Sequence, residues 1–108
     1  MLSGDTMEKI TRKDYIEKIK HSGITIVLFG SKCGRCIKAK STIKKLPHDM
    51  QKYYCDIEKN YELCYLLGIL YVPTAIIYCD GAYKGRLIGD EITLEGVKEQ
   101  LWERTAEQ

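Results

Sequence analysis

Residues Ile24-Thr25-Ile26-Val27-Leu28-Phe29 make a β-branched, almost continuously apolar run. No polar–apolar alternation interrupts it, so neither face of the strand it predicts can meet water. Such a strand belongs in the middle of a sheet covered by helices on both sides. Gly30-Ser31-Lys32 breaks the run, and Cys33-Gly34-Arg35-Cys36 follows at once. From there Cys36, Ala39, Ile43 and Leu46 recur at three- and four-residue steps, which places them on one helical face. Lys38, Lys40, Lys44 and Lys45 fall opposite, and Pro47 closes the helix.

The other elements fit around this strand–helix pair. Thr11 caps a first helix, with Asp14 completing a capping box and Ile10 and Tyr15 forming a hydrophobic staple. Its stripe is Tyr15, Ile16 and Ile19, and Gly23 ends it. Residues 52–57 read as a second strand, and 61–67 as a short helix stopped by Gly68. Residues 74–78 form a third strand, and Asp80-Gly81 turns the chain into a short fourth strand near 86–88. Thr93 caps a last helix with the stripe Leu94, Val97 and Leu101. Strands separated by helices imply parallel pairing through right-handed crossovers, and the final hairpin must be antiparallel. The expected class is α/β, with a central mixed four-stranded sheet flanked by helices. At 108 residues the chain is expected to be one domain, with residues 1–9 a loosely ordered extension.

Seventeen basic residues against fifteen acidic ones leave a net charge of +2, too little to argue for nucleic acid. No apolar run approaches the roughly 18–20 residues that a membrane helix needs. Residues 1–7 show no basic segment followed by an apolar stretch, so the expectation is no signal peptide and a cytoplasmic location. In that reducing compartment five cysteines are not a disulfide framework. Cys55, Cys64 and Cys79 read as buried fillers.

Cys33 and Cys36 read differently. Two thiols three residues apart on the first helical turn can form and break an internal disulfide. The first lies near unpaired N–H groups and the positive end of the helix dipole, which favour a thiolate. The thiolate is the nucleophile of disulfide exchange. A zinc site would need further ligands, but no second CxxC follows and neither His21 nor His48 has ligand spacing. No metal and no cofactor is expected.

From about Ile10 to Trp102 the chain resembles the thioredoxin family. The resemblance is carried by Val27-Leu28-Phe29 leading into Cys33-Gly34-Arg35-Cys36, by Val72-Pro73-Thr74, by Asp80-Gly81 and by Gly89. It implies a thioredoxin-like three-layer sandwich and an enzyme that reduces protein disulfides, with Cys33 attacking and Cys36 resolving. It also implies a cis Pro73 facing the dithiol, substrate paired to the backbone of Val72, and a substrate-binding edge of Val72, Pro73, Thr74 and Gly89. The partners implied are disulfide-containing proteins and a thioredoxin reductase or equivalent donor, with no nucleic acid and no membrane. A monomer is expected.

Several positions depart from the family. Lys32 and Arg35 stand where thioredoxins carry Trp and Pro, and as cations beside Cys33 they are expected to lower its pKa and raise the redox potential. The family's buried Asp falls at Val27 and its Lys near Tyr54, which leaves Asp56, Glu58 or a water as the proton acceptor for Cys36. Ser41 stands near the place of the family's kinking proline. A glutaredoxin-like enzyme recharged by glutathione, or a non-catalytic adapter on the same fold, are the alternatives.

Overall fold

The computed structural model describes residues 7–106, with side chains described as far as Leu101. The elements run β1 (Glu8–Lys9), α1 (Arg12–Ile19), β2 (Ile24–Gly30), α2 (Gly34–Lys44), β3 (Gln51–Asp56), α3 (Tyr61–Leu67), β4 (Thr74–Cys79), β5 (Ala82–Ile88) and α4 (Leu94–Ala106). They form a mixed sheet in the order β1-β3-β2-β4-β5, with helices on both faces. The three layers are those expected, but the sheet has five strands rather than four. The additional strand is β1, whose two residues pair parallel with Tyr53 and Tyr54 of β3. Of the extension expected over residues 1–9, Met7 is instead buried in the core and Glu8–Lys9 are strand, while residues 1–6 lie outside the described residues. No helix among the described residues is long and apolar enough to cross a membrane.

The double coverage of β2 follows from its apolar run. Ile26 and Leu28 face one core with Ala39 and Ile43 of α2 and Val97 of α4. Val27 and Phe29 face the other, with Tyr15 and Ile19 of α1 and Leu63 and Cys64 of α3. All four β2 side chains are fully buried, each worth about 1.5–3 kcal/mol of transfer free energy. On α1 the stripe is narrower than expected, because Ile16 is exposed.

One pairing differs from the sequence expectation. β3 runs parallel to β2, but β4 runs antiparallel to it despite the intervening helix. The reason is length. A six-residue strand spans about 20 Å, whereas the seven residues of α3 rise only about 10 Å. A helix that short suits a connection that does not return the chain to the far end of the sheet, and β4 enters from the end at which β3 leaves. Gly30 pairs with Asp56, Phe29 with Thr74, and Thr74 with Ile88. The ends of β2, β3 and β5 and the start of β4 therefore share one edge, and the two cysteines emerge there.

Candidate active site

Cys33 is the N-cap of α2, in extended backbone conformation, and its sulfur accepts the N–H of Cys36 at 3.2 Å. A sulfur thus takes the role that a Ser or Asp oxygen usually plays, satisfying one of the helix's orphan donors. Cys36, one turn into the helix, is 2% exposed and accepts the N–H of Ser31 at 3.4 Å. Both are free thiols. The helix can start this close to β2 because residue 30 is glycine: a Cβ there would sit 3.2 Å from Cys36 Sγ and 3.3 Å from the Tyr54 ring. Gly34, by contrast, faces open space beside Cys33.

The two thiols are driven apart electrostatically. Cys33 is held below the ordinary thiol range, first by the hydrogen bond from the Cys36 side chain and then by the N–H of Cys36 against some desolvation. Cys36 is raised, first by burial and then by its bond to Cys33. The leading causes are hydrogen bonds, and the Lys32 and Arg35 charges expected to tune Cys33 are not among them. Arg35 contributes through its backbone N–H.

A cleft of about 410 Å³ opens beside the pair, lined by Lys9, Lys32, Cys33, Cys36, Lys40 and Tyr54 among others. Asp56 lines it too, whereas Glu58, the other carboxylate considered for Cys36, is not among its lining residues. Tyr54 is a residue the sequence reading passed over. Its hydroxyl donates to Ser31 O at 3.5 Å, and Lys40 Nζ sits 4.7 Å above its ring. Burial, with Asp56 and the thiols as further causes, raises its pKa and keeps the phenol neutral.

On the other flank a smaller cleft of about 180 Å³ is lined by Arg35, Lys38, Gly89 and Asp90 among others. The structure thus brings Arg35 and Gly89 to one place. The Val72–Pro73 peptide is cis. Gly89 N donates to Pro73 O at 2.8 Å, and Thr74 Oγ1 to Tyr71 O at 2.6 Å, so Pro73, Thr74 and Gly89 form one connected edge. Neither the N–H nor the C=O of Val72 is bonded among the described residues. Leu70 and Tyr71 just before it are largely exposed.

The remaining cysteines do not line either cleft. Cys55 and Cys64 are buried together between β3 and α3, with burial raising both and carrying Cys55 to about 12. Cys79 is not the buried filler expected: it lies partly exposed at the end of β4. Among the described residues no group of three or more His, Cys, Asp or Glu is placed to hold a metal ion.

No family model and no curated protein matches the chain. Solved structures do. Thioredoxin from Trypanosoma brucei brucei aligns with a TM-score of 0.79 at 18% identity, over 98% of this chain and 97% of that one. Mitochondrial thioredoxin 3 from Saccharomyces cerevisiae, in oxidised form, aligns with a TM-score of 0.78 at 20% identity, over 94% of this chain and 99% of that one. At such identities the likeness is one of fold, and it extends over nearly the whole length of both partners. The chain has the thioredoxin fold, with a free Cys33–Cys36 pair at the start of its second helix.

Proposed function

We propose that this protein is a thiol–disulfide oxidoreductase that reduces protein disulfides. The observation that carries the reading is the asymmetry of the dithiol: a partly exposed Cys33 favoured as thiolate beside a buried Cys36 kept as thiol. Cys33 thiolate attacks one sulfur of the substrate disulfide, and the other sulfur leaves as a thiolate that takes up a proton. Cys36 then gives up its proton, for which Asp56 is the nearby candidate acceptor, and attacks Cys33 Sγ. The second substrate sulfur leaves, and the enzyme holds a Cys33–Cys36 disulfide. Two electrons have passed to the substrate, whose two sulfurs take up one proton from solvent and the one released by Cys36. A dithiol donor such as a thioredoxin reductase system resets the pair, and no bound cofactor is involved in the exchange itself.

Two features favour a polypeptide substrate. The unbonded backbone of Val72 offers an extended segment a short stretch of strand-like pairing. The exposed Leu70 and Tyr71 beside it supply apolar contact.

Trapping tests the assignment. Cys36→Ser is expected to accumulate a mixed disulfide with a model protein substrate, seen by mass spectrometry, and Cys33→Ser to form almost none. Equal trapping by both variants removes the division of labour. Turnover of the native protein is then compared with thioredoxin reductase and with glutathione as donor. Turnover with glutathione alone selects the glutaredoxin-like reading, and turnover with neither selects the adapter.

A further inference from the structure

Positive charge is in excess around the dithiol. Residues 32–48 contain six Lys or Arg and no carboxylate, in a chain whose total charge is only +2. Lys9, Lys32 and Lys40 line the larger cleft against Asp56 alone, and Arg35 and Lys38 line the smaller one against Asp90 alone. None of these five cations forms an ion pair among the described residues. Away from the site the pattern is different: Arg12 is paired with Glu62, and Lys18 with Glu8 at 3.1 Å. The acidic side chains gather elsewhere, with Glu91, Glu95 and Glu99 lining a separate cleft between β5 and α4.

We propose that the site is built for protein disulfides flanked by acidic residues, an inference that rests on the reductase reading above. Like charges set within a Debye length of about 8–10 Å repel one another, and an incoming carboxylate-bearing segment relieves that repulsion. Surfaces of one sign also raise encounter rates with the opposite sign by about 10- to 1000-fold. The cations stand in two clefts, the larger lined by Cys33 and Cys36 and the smaller by Arg35, which lies between them in sequence. An occupant that answers both sets must reach across the first turn of α2, as a polypeptide segment does and a single small anion in one cleft does not.

The test is single-turnover reduction, by the dithiol form of the full chain, of cystine peptides of equal length. Their cysteines are flanked by Glu, Gln or Lys, and glutathione disulfide is run in parallel. At low salt the Glu peptide is expected to react at least tenfold faster than the Gln peptide, and the Lys peptide slowest. The Glu:Gln ratio is expected to collapse toward one in 0.5 M salt, and also in the Lys9→Gln/Lys38→Gln/Lys40→Gln variant. Equal rates for Glu and Gln peptides overturn the inference while leaving the reductase reading in place, the five cleft cations then being merely solvated. Glutathione disulfide reacting faster than the Glu peptide also overturns it, by making the occupant a small anion. Failure to reduce any of the four refutes the reductase reading itself. Should the triple variant not fold, the salt dependence of the native protein decides alone.

Discussion

Two chemically identical side chains behave differently here because one caps a helix at the surface and the other is packed behind it. Their reactions should separate accordingly. Cys33, its pKa lowered by hydrogen bonds, is expected to be alkylated by iodoacetamide at lower pH than Cys36. Cys36, raised by burial, should react only at higher pH, and peptide mapping of the labelled sites across a pH series measures both. Tyr54 lines the same cleft as Cys36. Tyr54→Ala should open the cleft to water, bring the Cys36 midpoint down toward the ordinary value, and destabilise the protein by about 3 kcal/mol in urea. Tyr54→Phe keeps the ring and should change the midpoint little. The cysteines were legible because the CxxC spacing follows a buried strand. Tyr54 was not, because which β3 residues face α2 depends on the Leu28–Tyr54 register, which only the assembled sheet sets.

The first turn of α2 joins stability to chemistry. Because Cys33 Sγ is the cap acceptor, Cys33→Ser and Cys33→Ala should be equally inactive in trapping yet differ in stability. Serine keeps an acceptor for the Cys36 N–H, whereas alanine removes it, at about 1 kcal/mol for a lost N-cap. Urea unfolding of the two variants reads the difference, and equal midpoints would show that the cap contributes nothing. Elements with strong apolar periodicity, such as β2, α2 and β4, could be read directly. Elements held mainly by backbone pairing could not: Glu8 and Lys9 are both exposed, so β1 leaves no hydrophobic pattern. β5 was found only in its last three residues, since the exposed Ala82 and Tyr83 and the irregular pairing beside Ile77 and Tyr78 blur its alternation. Thr11 precedes α1 as expected, but its hydroxyl turns to Asp14 Oδ2 at 3.5 Å instead of capping a backbone N–H.

The molecule as a whole should lose stability in alkali. Cys55 keeps its proton in the folded state to about pH 12, while in the unfolded chain it titrates near 8.5. Above that pH the unfolded state holds fewer protons, so stability falls as pH rises, by up to about 1.4 kcal/mol per pH unit for each such group. Tyr15 and Tyr78, raised by burial around their shared hydroxyl bond, extend the loss above about pH 10. Urea midpoints should therefore drop between pH 8 and 10, and Cys55→Ala should flatten that drop. The uneven charge of the surface has a further consequence, for traffic between copies of this protein. An oxidised and a reduced copy can swap their redox states only if the two dithiol edges meet, and each edge brings unpaired lysine and arginine to the encounter. Under the exchange proposed above that approach should be repelled, and oxidised and reduced copies are expected to mix slowly with one another.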